Sequence, residues 1–138
     1  SGVYFDIWGN AGRLVNCMAA DDSHNYSGEQ TKSFIMVNAA ELTKEAIMQS
    51  IHEGNYYPSQ GPRIDSVTFD SNKIRIKCPK VKTVVFYSNT VWCEDRVFTG
   101  GVEEAEYKIK DTDKYVRIEL IDDSGRMAWT SPVAVNNR

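Results

Sequence analysis

Asp22 and His24 stand two positions apart in Asp21-Asp22-Ser23-His24-Asn25-Tyr26, just after the apolar run Leu14 to Ala20. Where the backbone is extended, residues two apart share a face, so a carboxylate oxygen and an imidazole nitrogen would converge on one cation. A hard oxygen beside a borderline nitrogen suits zinc, manganese or iron, as in metal-dependent hydrolases. The ends of buried strands are also where α/β barrels gather their catalytic side chains. Two ligands make no metal site by themselves, and the plainer reading of Asp-x-His is a loop carboxylate hydrogen-bonded to an imidazole. Asp22 and His24 are thus candidate metal ligands, with no catalytic residue assigned beside them. The other histidine, His52, follows Ile51 near the C-terminus of a predicted helix, where positive charge is favoured, and reads as solvated.

Three further groups could carry chemistry. Ser59, with the backbone of Gln60-Gly61 in Tyr56-Tyr57-Pro58-Ser59-Gln60-Gly61-Pro62, could donate hydrogen bonds to a phosphate. The competing and favoured reading is a rigid connector, with Pro58 and Pro62 fixing φ and Gly61 making the turn. Cys17, Cys78 and Cys93 form an odd, sparse set without a CxxC pair, which argues against a disulfide framework and a zinc knuckle. Buried free thiols are expected, with a Cys78 to Cys93 bridge between strands as the alternative. Trp92, Trp129 and the tyrosines could bind sugars or partner proteins if exposed on a β-sandwich, although packing accounts for most such residues.

The elements that must position these residues are read from length, charge and periodicity. A chain of 138 residues is about one domain, and 41% hydrophobic with 25% charged residues is an ordinary globular composition. The net charge of -3 has the wrong sign for binding a phosphate backbone, so nucleic acid is not expected as a partner. Residues 1–61 hold three Lys and Arg against seven Asp and Glu, so the acidic character is local. No apolar run approaches the roughly 18 residues of a membrane span, and no membrane partner is expected. The abrupt start at Val3, inside an apolar stretch, leads to the expectation that the natural N-terminus lies further upstream, and the compartment stays open with the cytoplasm as default.

Thr43 to Glu53 is predicted to be a helix, capped by Thr43 and ended by Gly54, with Leu42, Ala46, Ile47 and Ile51 as its apolar stripe. Leu14 to Ala20 and Ser33 to Val37 read as short buried strands joined by a long exposed loop. The tract Gly54 to Pro62 is dense in turn-formers and marks a boundary. Beyond it, Ile74, Ile76 and Cys78 alternate with Lys73, Arg75 and Lys77, and Val116, Ile118 and Leu120 with Tyr115, Arg117 and Glu119. Period two means half-buried strands. Ile64 to Phe69, Thr83 to Tyr87, Val91 to Phe98, Ala105 to Ile109 and Met127 to Val135 add further strand candidates. Asp70-Ser71-Asn72, Ser88-Asn89, Thr99-Gly100-Gly101, Asp111-Thr112-Asp113 and Asp122-Asp123-Ser124-Gly125 read as the turns between them. About seven short strands at this spacing suggest a mainly β, α+β chain with an antiparallel sandwich of immunoglobulin-like size.

The order of motifs around Ala20-Asp21-Asp22-Ser23-His24-Asn25-Tyr26 resembles the C-terminal end of the polymerase and histidinol phosphatase (PHP) superfamily of metal-dependent phosphoesterases, especially members with a β-sandwich after the barrel. Trp8 and Gly12-Arg13 precede the motif, and Glu41-Leu42-Thr43-Lys44-Glu45-Ala46-Ile47 and Gly54 to Pro62 follow it. Tyr115-Val116-Arg117-Ile118-Glu119 and Gly125 to Pro132 look like that family's closing strands, so the resemblance covers nearly the whole chain. It implies that residues 3–62 are the C-terminal remnant of a PHP barrel and 63–138 a β-sandwich domain. It further implies that Asp22 and His24 are the family's final metal-ligand motif, with Asp21 beside it as a supporting candidate.

In that family an opening His-x-His and further histidines and acids supply the remaining ligands, and none of them is in this sequence. The expectation is therefore a fragment of a metal-dependent phosphoesterase. A divalent metal (zinc, manganese or iron) and a phosphate-ester substrate would belong to the full-length parent, while the fragment itself holds no metal and is inactive. The alternative is a stand-alone β-sandwich module that binds a carbohydrate or a protein.

Overall fold

A computed structural model describes residues 2–70, 72–90 and 93–135. Two α-helices, α1 (Gly2–Asn10) and α2 (Lys44–Glu53), accompany eight strands. The strands are β1 (Phe34–Val37), β2 (Tyr56–Ser59), β3 (Ser66–Asp70), β4 (Lys73–Tyr87), β5 (Val97–Lys108), β6 (Tyr115–Ile121), β7 (Met127–Trp129) and β8 (Val133–Ala134). Every pairing is antiparallel, which meets the mainly β expectation.

The architecture turns on β4. Its first half pairs with β3, from Asp70↔Lys73 to Ser66↔Lys77, and its second half pairs with β6, from Thr83↔Ile121 to Tyr87↔Arg117. Strand β5 follows the opposite edge along both halves. Between the halves the register with β5 shifts on either side of Val81, just past Pro79, which has no N–H to give to a ladder. One sheet, in the order β1-β2-β7-β6-β4-β3, thus curls over a single core. Ile74, Ile76, Val84, Phe86, Tyr107, Ile118 and Leu120 fill that core. Each of the larger side chains contributes about 1.5 to 3 kcal/mol by leaving water.

Alternation places the inward residues as the sequence predicts, with Lys73, Arg75 and Lys77 exposed between buried Ile74, Ile76 and Cys78. Across the strands the outward side chains form ion pairs, Lys73 with Glu106 at 2.6 Å and Arg75 with Glu106 at 2.6 Å. Strand β6 departs from the expectation of one solvated face. All six residues from Tyr115 to Leu120 are buried, because α1 covers the side that carries Tyr115, Arg117 and Glu119.

Helix α2 forms as expected. Thr43 at φ -121° caps it, its hydroxyl accepting from the Ala46 N–H at 3.3 Å, and Gly54 ends it in the left-handed region at φ 78°. Its apolar stripe needs correcting: Leu42 is 96% exposed, Ala46, Ile47 and Ile51 are half-buried, and the buried residue is Ser50, whose hydroxyl donates to the Asn38 carbonyl at 3.0 Å. Leu42 lies before the cap, off the helix whose face it was assigned to.

Four other expectations are corrected. Leu14 to Ala20 is not a strand; it runs without regular structure, and Leu14 and Met18 are exposed. Thr99-Gly100-Gly101 is not a turn; both glycines take positive φ within the continuous strand β5, at the irregularity facing Val81. Met127 to Val135 is broken into β7 and β8 around Pro132. The connector Tyr56–Ser59 is itself a strand, and its Ser59 pairs with Ala128 of β7 across the boundary read at residue 62. No helix among the described residues is long and apolar enough to cross a membrane.

Candidate functional site

The loop from Asp21 to Ser33 carries the metal-ligand candidates. Asp22 and His24 are both exposed, and neither side chain has a hydrogen-bond partner among the described residues. The backbone at Asp22 is left-handed, φ 55°, so the extended geometry that would align Asp22 with His24 is not present. His24 borders a small cleft of about 220 Å³ with Ser23, Asn25, Tyr26 and Gln30. Among the described residues no three His, Cys, Asp or Glu side chains gather where they could hold a metal ion.

The neighbouring carboxylates are engaged instead. Asp21 accepts from the backbone N–H groups of Thr31, Lys32 (2.7 Å) and Ser33. Glu29 accepts from the backbone N–H of His24 at 2.9 Å and of Asn25 at 3.3 Å. His52 is exposed in the last turn of α2.

Ser59 is fully buried and its hydroxyl is engaged within its own turn, donating to the Pro62 carbonyl at 2.7 Å and accepting from the Gly61 N–H at 2.8 Å. The Gln60 N–H donates to the Met127 carbonyl at 2.8 Å. In this conformation the three donors considered for a phosphate all have protein partners. Cys17, Cys78 and Cys93 are free thiols, and burial pushes Cys17 and Cys78 up to about 11, away from thiolate reactivity at neutral pH. Trp129 is half-buried beside a cleft of about 360 Å³ that also touches Cys17, Ala20, Pro58 and Arg117. Trp92 lies outside the described residues.

Two charged clusters escape a reading by motif. Arg117, 4% exposed, grips Asp6 of α1 with Nε and Nη2 at 2.8 and 2.6 Å, binds Glu119 through Nη1 at 2.6 Å, and lies 4.0 Å over the Tyr87 ring. Burial by itself would lower the Arg117 pKa, but the carboxylates of Asp6 and Glu119 outweigh it and the guanidinium stays charged. In the second cluster, Asp113 accepts from Ser88, Thr90, Arg96, Tyr107 and the Lys110 N–H. Both clusters satisfy their own charges and act as structural fasteners. The one sequence cue to the first is the alternation of Arg117 and Glu119 with apolar residues.

A larger cleft of about 530 Å³ opens between β1, β2 and β3, lined by Met36, Tyr56, Tyr57, Phe69, Arg63 and Asp65 among others. Its volume falls within the usual range for small-molecule sites. No family model, curated protein or solved structure matches this chain.

Proposed function

We propose that the chain is the C-terminal part of a metal-dependent phosphoesterase of the PHP kind, in which residues 3–62 complete a barrel and 63–138 form an accessory β domain. The observation that supports this reading is where apolar surface is left uncovered. The large exposed hydrophobic side chains among the described residues are Val3, Tyr4, Ile7, Trp8, Leu14, Met18, Tyr26, Met36, Leu42 and Met48, all within 3–48. Among the described residues from 63 onward there is no such side chain. Their grouping in one stretch of the sequence supports the reading that further protein packs against this part of the chain.

Asp22 and His24 fit a divalent metal in kind, offering an anionic oxygen and an imidazole nitrogen that are exposed and unengaged, though not in number. A metal in such a site would supply Lewis acidity toward a phosphate ester and activate water. The part of this chain would be to present one carboxylate and one imidazole from a loop tied down by its neighbours, while the remaining ligands come from the rest of the barrel.

The test compares metal content and phosphodiester turnover of a longer protein that includes the upstream sequence, as wild type, His24→Ala and His52→Ala. Loss of metal and of turnover by orders of magnitude in His24→Ala alone is expected. Equal metal and equal turnover in all three would remove Asp22 and His24 from the site. The 138-residue chain alone should release no product from p-nitrophenyl phosphate with added manganese or zinc. A second reading, a module that binds a carbohydrate or a protein, draws on the 530 Å³ cleft. It would be favoured if the upstream sequence held no His-x-His.

A further inference from the structure

Strand β1 stands at one end of the sheet, and no strand pairs with its other side. The direction of its backbone groups follows from its register with β2. The Asn38 N–H donates to the Asn55 carbonyl at 2.9 Å, so those two residues are a hydrogen-bonded pair. Such pairs recur at every second residue of an antiparallel ladder. Phe34 and Met36 therefore turn their N–H and C=O groups to Ser59 and Tyr57, whereas Ile35 and Val37 turn theirs outward. Pro58, which has no N–H to give, stands opposite Ile35, as this alternation allows. The outward groups have no partner among the described residues. Native proteins blunt open edges of this kind with charge, proline or a bulge. Edge strands β5 and β3 follow that rule: β5 carries exposed Glu103, Glu104 and Lys108 with an irregularity at Gly100-Gly101, and β3 ends on exposed Asp70. Strand β1, Phe-Ile-Met-Val, has none of these devices.

We propose that β1 pairs with β1 of a second copy of this chain, antiparallel about a two-fold axis at Met36, so that one sheet runs through both molecules. With Met36 opposite Met36, Ile35 of one copy faces Val37 of the other, and every outward N–H and C=O of these residues meets its complement. A two-fold interface requires a self-complementary patch of this sort. Met36 is 39% exposed, and its pair meets at a non-bonded position, where side chains come closest. Charge agrees at the ends of the strand. Lys32 lies four residues before Met36 and Glu41 five after it, both exposed and without an ion-pair partner among the described residues. Antiparallel pairing brings the Lys32 end of one copy to the Glu41 end of the other. A four-residue strand pair is small beside the standard interface of about 1,600 Å², so the dimer is weak and its share rises with concentration. It needs no metal and is independent of the phosphoesterase reading.

Sedimentation velocity of the 138-residue chain over a hundredfold range of concentration tests the pairing. The weight-average mass of wild type should rise from that of one chain toward twice that value. Met36→Lys sets two ammonium groups opposite each other at the axis, where like charges repel, and should stay monomeric over the same range. Because Met36 is exposed, its thermal unfolding midpoint should match that of dilute wild type. Met36→Glu alone should also stay monomeric, while an equimolar mixture of the two variants should associate at least as well as wild type. That rescue is specific to a register with Met36 opposite Met36, and a misfolded variant would not give it. Wild type that remains monomeric throughout, association that survives Met36→Lys, or a mixture that stays monomeric would each overturn the pairing.

Discussion

Asp113 has no solvent exposure, yet it faces Arg96 as an ion pair at 2.7 Å. Burial alone would push its carboxyl up, but hydrogen bonds from Ser88, Tyr107, the Lys110 N–H and Thr90 outweigh that and hold it below the ordinary value of 3.8. A carboxyl depressed in the folded state contributes stability that is complete above its unfolded pKa and is lost as pH falls through the folded one. Asp113→Asn should therefore flatten the loss of stability on acidification below pH 3.8, as read by urea unfolding across that range. Asp113→Ala removes the carboxylate that faces buried Arg96 and should cost about 3 to 5 kcal/mol at neutral pH; a cost under about 1 kcal/mol would mean that the other groups around Arg96 suffice to hold its charge. Little of this was legible in advance. Asp111-Thr112-Asp113 reads as a polar turn, and its partners at 88, 90, 96 and 107 converge on it only once β4 and β5 have paired. The rule that aligned Asp22 with His24 presupposes extended backbone, and the left-handed turn at Asp22 removes that premise while leaving the residue types as read.

Helix α1 is joined to the sheet by a compact set of contacts. Asp6 meets Arg117 twice and accepts from the Tyr115 hydroxyl at 2.9 Å, and Gly9 lies against the Tyr115 ring. A Cβ added at Gly9 would fall 2.5 Å from Tyr115 Cε1, and that ring is fully buried and cannot swing away. Gly9→Ala should then cost about 1 to 3 kcal/mol through overpacking. Asp6→Ala should strip hydrogen-exchange protection from the amides of residues 5–10 while β4 and β6 stay protected. Unchanged exchange in α1 would show that its apolar contacts hold it without the ion pair. The strand character of β6 was plain from its alternation, but its second burial was hidden. The helix that covers it, Gly-Val-Tyr-Phe-Asp-Ile-Trp-Gly-Asn, has no polar face to give it a periodic signature. Likewise Gly100-Gly101 has turn composition, and only pairing with the bent β4 reveals an irregular strand.

At the scale of the molecule, the mainly β class was legible because strands of period two are local signals, whereas the curl of the sheet and the fork at β4 depend on pairings far apart in sequence. The uncovered apolar side chains give a direct prediction: Leu42→Ser with Met48→Ser should leave the unfolding free energy within about 0.5 kcal/mol and reduce concentration-dependent light scattering. A large loss of stability would mean that these residues are packed in solution. The N-terminal 60 residues are attached to the sheet chiefly through late sequence: Asp6 to Arg117, the Cys17 N–H to Ser131, and Ser59 opposite Ala128. A ribosome making this chain therefore releases the apolar early segments well before their seat exists. Between residues 59 and 128, at about 5 to 20 residues per second, roughly 3.5 to 14 s pass. During that interval α1 has no β6 to pack against and the Cys17 N–H has no Ser131 to bond, so nascent chains halted before Met127 should be the species that chaperones and proteases meet.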